Sequence, residues 1–205
     1  MRRVFLLLTV MAAMLVLASG MVLAANKIGT DGPDTIVGTN GDDNLLGKGG
    51  NDRLFALRGN DNLLGGRGKD IVFGGNQRFE LSGGHKNLLG GPGNDFVNGG
   101  KGSDNVVGGK GNDLLGDGEL RESSLDTLSG GDGNDVILVD SKPAAKDIVV
   151  CGRGFDRVLA DRADVIAPDC ERMVVVHGSR EDIIRQERRF FESVPESFFE
   201  GLPPF

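Results

Sequence analysis

Aspartate recurs every nine residues through the middle of this 205-residue chain. Thirteen copies of a nine-residue repeat can be aligned, and the sixth position is Asp in twelve of them. Paired carboxylates can act as a general acid and base, or they can bind a cation through their oxygen atoms. Their fixed place in a repeat favours cation ligands over a single catalytic pair. The ten candidate ligands in the better preserved copies are Asp34, Asp43, Asp52, Asp61, Asp70, Asp95, Asp104, Asp113, Asp126 and Asp135.

Each of these Asp residues lies in a pattern that predicts a tight turn followed by a short strand. In the segment GGKGNDLLG, residues 108–116, Gly occupies positions one, two and four, and the eighth position is aliphatic. Glycine permits the positive φ angles that a six-residue reversal of the chain requires. The central residue of a three-residue strand, such as Leu54 or Leu63, points to one side. One copy cannot bury this side chain alone, so the repeats must stack on one another.

The composition excludes several classes of protein. Gly accounts for 34 of the 205 residues, and a conventional helical domain is excluded in the repeat region because each interior Gly costs about 1 kcal/mol relative to Ala. Collagen is excluded because the glycines do not fall at every third residue. The formal net charge of −7 and the absence of Tyr and Trp argue against a nucleic-acid partner and favour cations.

The pattern G-G-x-G-x-D-x-U-x, in which U is a large aliphatic residue, resembles the RTX or hemolysin-type calcium-binding repeat. It is clearest in residues 29–73 and 90–138. The resemblance implies an all-β fold, a right-handed parallel β-roll in which two repeats make one turn. It also implies several Ca2+ ions, held between the turn loops of successive coils by Asp carboxylates and loop carbonyls.

Stacking would place equivalent Asp side chains about 4.8 Å apart, which is the spacing of adjacent strands. Two carboxylates at that distance repel each other by roughly 3–4 kcal/mol at an effective dielectric constant near 20. Ca2+ reverses this effect because it accepts six to eight oxygens in a flexible shell, whereas Mg2+ demands a tighter octahedron. We therefore expect metal binding and folding to be one event, with roughly three to six ions bound. The pairs predicted to share a site are Asp34 with Asp52, Asp43 with Asp61, Asp52 with Asp70, Asp95 with Asp113, Asp104 with Asp126, and Asp113 with Asp135.

The alternative is a Gly- and Asp-rich solenoid without ions, in which Asp only caps turns.

Two interruptions divide the repeats. Seven extra residues lie between Gly74 and Leu89, and four lie between Asp117 and Leu120. Both are expected to be loops that leave the coil at a turn. Lys86 replaces the Asp of its copy and could neutralise a neighbouring carboxylate in place of calcium. His85, beside it, is interpreted as a solvated side chain.

An apolar residue also occupies position nine in many copies, including Val37, Leu64 and Leu89. Because neighbouring strand residues face opposite sides, these side chains form a second, outward ladder. They indicate either a partly shielded surface typical of thin rolls or a docking surface for a partner or for self-association.

Residues 142–176 are interpreted as degenerate repeats and a cap that closes the coil. Asp147 and Asp156 keep the phase of the repeat, but most of the glycines are missing, so calcium is not expected there. Cys151 and Cys170 are the chain's only cysteines. In an exported chain an even pair predicts a disulfide, and the alternative is two unpaired thiols.

The tail, residues 177–205, is expected to be partly helical. Ser179-Arg180-Glu181-Asp182 resembles a capping box, and Pro195 is expected to end the helix that follows it. A helix that packs on the end of the roll is the simplest interpretation of the Phe-rich tail.

The N-terminal segment, residues 1–25, has the layout of a secretory signal peptide. A basic start at Arg2 and Arg3 precedes an apolar run, Val4–Val16, and small-residue cleavage sites follow. The alternative is an uncleaved membrane anchor, because residues 4–25 are long enough to span a bilayer. The repeats would then form residues 26–141 of a secreted, extracellular chain.

Catalysis is not expected, because the sequence contains neither an H-E-x-x-H zinc motif nor a phosphate-binding loop. We expect an exported calcium-binding repeat protein that acts as a structural or adhesive module through an unknown cell-surface or protein partner. One alternative is a passive Ca2+ buffer or folding switch. Another is a secreted hydrolase whose site lies in the two insertions.

Overall fold

The computed structural model describes residues 24–75, 84–118, 124–139, 145–177 and 180–203. Within these ranges the chain forms two eight-stranded parallel sheets, followed by two helices. Sheet A consists of β1 (Asn26–Ile28), β3 (Asn44–Gly49), β5 (Asn62–Arg67), β7 (Asn87–Pro92), β9 (Asn105–Lys110), β11 (Thr127–Asp132), β13 (Ile148–Arg153) and β15 (Val165–Ile166). Sheet B consists of β2 (Thr35–Val37), β4 (Arg53–Phe55), β6 (Ile71–Phe73), β8 (Phe96–Asn98), β10 (Leu114–Gly116), β12 (Val136–Val139), β14 (Arg157–Ala160) and β16 (Arg172–Val175).

The chain alternates between the sheets, so each pair of successive strands makes one turn of a parallel β-solenoid of about seven turns. Residues 18 apart lie side by side, for example Leu45 beside Leu63 in sheet A and Leu54 beside Val72 in sheet B. Two nonapeptides therefore form one turn. The prediction of an all-β parallel roll is confirmed.

The insertions do not disturb the stacking of the strands. The register step lengthens to 25 residues between the coils that hold Asp70 and Asp95 and to 22 residues between Asp104 and Asp126, and the strands stay paired in phase. A third lengthened step, of 21 residues, lies between Asp126 and Asp147. The residues numbered 76–83, 119–123 and 140–144 in these steps lie outside the described part of the chain.

All three lengthened steps occur where the chain passes from sheet B to sheet A, after β6, β10 and β12. We call this side the interrupted edge. The opposite side, where the chain passes from sheet A to sheet B, has regular loops, and we call it the continuous edge. Its loops are residues 29–34, 47–52, 65–70, 90–95, 108–113, 130–135 and 151–156.

The core lies between the sheets and is built from the aliphatic residue at position eight of the repeat. Every one of these side chains is buried, as the sequence predicts. Burial of such an aliphatic side chain contributes about 1.5–3 kcal/mol, so the stack accounts for the main apolar stabilisation. The core residues are Ile36, Leu45, Leu54, Leu63, Val72, Leu88, Val97, Val106, Leu115, Leu128, Ile137, Val149 and Val158.

A cap closes the C-terminal end of the solenoid. Cys151, in β13, is fully buried and forms a disulfide with Cys170. Ile166 and Cys170 pack against the last core residues. The predicted disulfide is therefore confirmed.

Two helices follow the cap, α1 (Arg180–Ser193) and α2 (Glu196–Gly201), with Pro195 between them. The interpretation that the tail packs on the end of the roll is wrong: the helices lie against the outer face of sheet B. Phe190, Phe198 and Leu202 form a second apolar cluster with strand residues of that face such as Leu114 and Val136. The cause is the apolar outer surface of β8 to β14, which the helices bury.

Some predictions concern residues outside the described part of the chain. They include residues 1–23 of the leader, Ser179 of the capping box, and Phe205. Among the residues that are described, no helix is long and apolar enough to cross a membrane.

Candidate metal centre

The repeat Asp residues form two columns, one along each edge of the solenoid. The six predicted pairs lie side by side in these columns, because residues two repeats apart are neighbours. Along the continuous edge the column contains Asp34, Asp52, Asp70, Asp95, Asp113, Asp135 and Asp156. Along the interrupted edge it contains Asp43, Asp61, Lys86, Asp104, Asp126 and Asp147.

One carboxylate oxygen of each Asp after Asp34 accepts a hydrogen bond from the neighbouring coil. The backbone N–H of Asp52 donates to Oδ1 of Asp70 over 2.8 Å, and the N–H of Asp70 donates to Oδ1 of Asp95 over 2.8 Å. The same hydrogen bond recurs at 2.8 Å between Asp95 and Asp113. These hydrogen bonds fix the positions of the carboxylate groups that follow Asp34 and Asp43 in the two columns.

The second oxygen, Oδ2, is buried and accepts no hydrogen bond from the described residues in seven of these side chains. An unpaired buried carboxylate oxygen is costly, so each of these groups requires a hydrogen-bond donor, a cation or a bound proton. The seven residues are Asp52, Asp61, Asp70, Asp95, Asp113, Asp135 and Asp156.

Main-chain carbonyl oxygens converge on the same places. A Cβ atom added to Gly108 would lie 2.4 Å from Oδ2 of Asp113 and 2.7 Å from the carbonyl oxygen of Gly130, one coil further on. A Cβ on Gly65 would meet Oδ2 of Asp70 at 2.6 Å and the carbonyl oxygen of Gly90 at 2.7 Å. Gly at position one thus lets a carboxylate and a carbonyl oxygen approach each other across two coils.

This donor set fits Ca2+, which binds carboxylate and carbonyl oxygens in an adaptable shell. Within the described ranges, no three His, Cys, Asp or Glu side chains are grouped so that they could hold a metal ion by themselves. An ion here would therefore depend on paired carboxylates together with backbone carbonyls.

The columns disfavour ionised carboxylates when no cation is present. Burial raises the pKa of Asp95 to about 7 and that of Asp113 to about 8, against an ordinary value near 4. Hydrogen bonds from the preceding coil lower these pKa values, and the neighbouring Asp charges raise them. On the interrupted edge, burial raises the pKa of Asp126 to about 9.

These pKa values predict that acid stabilises the calcium-free protein. A carboxyl group whose pKa is higher in the folded state binds its proton more tightly there, so its contribution is complete below pH 4 and is lost as the pH rises through about 6 to 9. The folded fraction in calcium-free buffer, followed by circular dichroism, should be higher at pH 5 than at pH 8. A folded fraction that falls on acidification would contradict this prediction.

The first loop of each column differs from the others. Oδ2 of Asp34 accepts hydrogen bonds from the N–H (2.6 Å) and Oγ1 (2.9 Å) of Thr30. The N–H and Oγ1 of Thr39 donate in the same way to Oδ2 of Asp43. The Thr30 N–H is the main reason that the pKa of Asp34 is lowered. These two carboxylates are thus satisfied by protein donors.

Lys86 occupies the place of an Asp in the interrupted column and is fully buried. A Cβ on Gly74 would lie 2.7 Å from Cδ of Lys86, where the other loops have Oδ2 of an Asp. The Lys86 ammonium donates to the carbonyl oxygen of Lys101 at 3.4 Å, and its charge lowers the pKa of Asp61. The side chain therefore places an ammonium group in the carboxylate column.

Three acidic residues that the repeat pattern does not include complete the columns in the cap. Oδ1 of Asp164 accepts from the N–H of Asp147 at 3.1 Å, and Oε2 of Glu171 accepts from the N–H of Asp156 at 2.8 Å. Asp169 accepts from the N–H of Gly152 at 3.0 Å. These residues do not belong to a nonapeptide repeat. The only feature of the sequence that could have indicated them is an acidic side chain soon after the last two repeats, which contain Asp147 and Asp156 at position six.

Fold and site together define the class of protein: a parallel β-solenoid whose turn loops present rows of carboxylate and carbonyl oxygens. The model of the RTX calcium-binding nonapeptide repeat matches the chain in four copies, at residues 28–63, 46–78, 83–115 and 124–141. The chain belongs to this repeat family, as the resemblance predicted. A comparison with the curated proteins gave no match.

Proposed function

We propose that this protein is an exported calcium-binding β-roll that holds Ca2+ between adjacent loops of each edge and acts as a structural or adhesive module. The observation that carries the proposal is the row of buried Oδ2 atoms that accept no hydrogen bond from the described residues. Five of them, in Asp52, Asp70, Asp95, Asp113 and Asp135, lie beside a carbonyl oxygen of the next coil. All ten predicted Asp ligands lie in the two columns. We assign the eight from Asp52 onwards as the main ligands, because Thr30 and Thr39 already satisfy Asp34 and Asp43.

Calcium binding should be coupled to folding, because the carboxylate columns repel when they are ionised and no cation is present. The purified chain should show a larger β-sheet signal in far-UV circular dichroism in millimolar Ca2+ than in EGTA, and isothermal titration should give roughly three to six ions. Mg2+ at the same concentration is the control and should have little effect. Identical spectra in EGTA and Ca2+ would overturn the coupling.

The ligand assignment can be tested separately. The triple variant Asp52→Asn, Asp61→Asn and Asp104→Asn changes both columns and keeps the volume of each side chain. The number of bound ions should fall, because four of the six predicted pairs lose a carboxylate. An unchanged number of bound ions would show that the columns are not the sites.

The outer face of sheet A supports a structural or adhesive role. It carries a shallow groove of about 700 Å3 lined by Asn and aliphatic side chains. Asn26, Asn44, Asn62 and Asn87 hydrogen-bond to one another in a ladder, with Nδ2···Oδ1 distances of 2.8–2.9 Å. The ladder satisfies its own amides, and exposed aliphatic residues such as Leu64 and Leu89 lie beside it. An assay of partner binding with and without Ca2+ separates an adhesive module from a passive Ca2+ buffer.

Export is supported by two features of the chain. The N-terminal run Val4–Val16 has the composition of a signal peptide. The Cys151–Cys170 disulfide is typical of proteins that fold in an oxidising compartment. Mass spectrometry of the protein recovered outside the cell should show a chain that lacks the leader.

A further inference from the structure

The last regular loop of the continuous edge, residues 151–156, lies outside the four matched repeats and has lost the Gly at position one. We propose that this loop completes one more Ca2+ site, with Asp135 and Asp156 as its carboxylates, and that the Cys151–Cys170 disulfide holds the site in shape. The proposal rests on the calcium binding proposed above and extends it to the cap.

The backbone of this loop keeps the geometry of the loops before it. Gly152 and Gly154 have φ angles of 104° and 143°, close to 114° and 155° at Gly131 and Gly133. β11 and β13 stay in register, with Gly131 beside Gly152. The N–H of Gly133 donates to the carbonyl oxygen of Arg153 at 2.7 Å. The loop is thus regular, although Cys and Phe have replaced two of the usual residues.

The oxygen atoms of a site are present here as in the middle of the column. A Cβ on Gly130 would lie 2.4 Å from Oδ2 of Asp135 and 2.5 Å from the carbonyl oxygen of Cys151. The carbonyl group of Cys151 therefore replaces that of the usual Gly. Asp135 and Asp156 are both fully buried, and the Oδ2 atom of each accepts no hydrogen bond from the described residues. The N–H of Asp135 donates to Oδ1 of Asp156 at 2.8 Å, which fixes the pair.

The local charge also favours a cation. Two further carboxylates lie beside the pair, because Glu171 accepts a hydrogen bond from the N–H of Asp156 and Asp169 accepts one from the N–H of Gly152. The Arg157 guanidinium lies over the ring of Phe155, at 4.9 Å from its centroid. Among the described residues, Arg157 forms no ion pair with Asp156 within 4.0 Å. Within the described residues, the Asp156 carboxylate thus has a backbone hydrogen bond but no ion pair.

The disulfide acts on the same loop. Cys151 is the first residue of the loop, and Cys170 lies between the two acidic residues that cover it. Asp169 accepts hydrogen bonds from the N–H groups of Cys151 (3.4 Å) and Gly152 (3.0 Å), and Glu171 accepts from the N–H of Asp156 (2.8 Å). These hydrogen bonds replace those that a further coil would make, because no nonapeptide repeat follows this loop. The disulfide holds this substitute coil against the loop, as outer-sphere contacts orient the ligands in other metal sites.

The test counts bound Ca2+ and measures affinities by isothermal titration, with the metal content confirmed by elemental analysis. Asp156→Asn should bind one ion fewer than the unmodified chain. The double variant Cys151→Ala and Cys170→Ala keeps the Cys151 carbonyl group, and it should bind one ion about 10- to 100-fold more weakly while the other sites keep their affinity. Asp113→Asn is the matched control, because it should lose an ion from the middle of the column whether or not the disulfide is present.

Glu171→Gln provides a second route if the disulfide-free variant does not fold. This variant keeps the disulfide and the volume of the side chain, and it should lower the affinity for the same single ion. An unchanged ion count in Asp156→Asn would overturn the site. Suppose that Asp156→Asn loses one ion but the disulfide-free variant and Glu171→Gln both keep the affinity of that ion. This result would overturn the proposed role of the disulfide. If the unmodified chain binds no Ca2+ at all, the function proposed for the whole protein fails.

Discussion

Gly111→Ala should destabilise the protein by at least about 3 kcal/mol even in saturating Ca2+. Gly111 has a φ angle of 123°, and a Cβ there would lie 1.7 Å from the carbonyl oxygen of Gly93 in the preceding coil. Backbone atoms cannot move aside without breaking the stacking of the two loops. Denaturation by urea at a fixed Ca2+ concentration would measure the loss.

The matched control for this variant is Gly32→Ala, at the same position of the first loop. A Cβ on Gly32 would meet only Oγ1 of Thr30, at 3.8 Å. Gly32→Ala should therefore stay within about 1 kcal/mol of the unmodified chain. Gly32 has neither a positive φ angle nor a close neighbour, so equal losses in the two variants would show that neither feature of Gly111 is the cause.

The sequence predicts the solenoid well because one repeat carries all the required signals at the same phase. The buried aliphatic residue at position eight fixes which side of each strand faces inward. The 18-residue register follows because two nonapeptides make one coil of the solenoid. The two predicted insertions could be placed at turns because they change only the length of a loop. The third lengthened step, before Asp147, was not predicted. The common location of these steps on one edge could not be predicted without knowing which repeats belong to which sheet.

The position of the C-terminal helices was not predicted correctly, although the sequence contains a signal for it. In sheet A, position seven of the repeat is Asn in β3, β5, β7 and β9. In sheet B, the same position is Leu114 in β10 and Val136 in β12. These two apolar residues point outward on sheet B and are nevertheless buried, so something must cover them. The tail leaves the solenoid from β16, which belongs to the same sheet, and Phe190 and Phe198 reach that surface.

The sequence predicted which repeat Asp residues lie side by side in the two columns. It did not predict which residues interact with the first and last Asp of each column. Lys86 was recognised as an exception because it breaks a fixed pattern. Glu171 and Asp164 were missed because they reach the columns through irregular spacings of 15 and 17 residues, and no repeat marks them. The hydrogen bonds from Thr30 and Thr39 were missed because Thr at position two resembles an ordinary substitution until the loop geometry is known.

Lys86→Asp should give the column of the interrupted edge a carboxylate at every position. The fold should then depend more strongly on calcium. The change replaces a buried ammonium by a carboxylate about 4.8 Å from the Asp residues of the neighbouring coils. In EGTA the variant should lose at least about 3 kcal/mol of stability, because repulsion from Asp61 and Asp104 replaces attraction. In millimolar Ca2+ it should recover much of this loss and bind at least one more ion than the unmodified chain.

Lys110→Asp is the control for this experiment, since it makes the same change of charge at an exposed position on β9. Its stability in EGTA should change by less than about 1 kcal/mol, and its ion count should not change. Two measurements decide the outcome: urea denaturation in EGTA and in Ca2+, and isothermal titration. If Lys86→Asp is no less stable than Lys110→Asp in EGTA and binds no additional ion, the ammonium of Lys86 does not serve as a built-in counterion for the column. If the variant is less stable in EGTA and gains an ion, a single lysine separates the calcium sites before and after the first insertion.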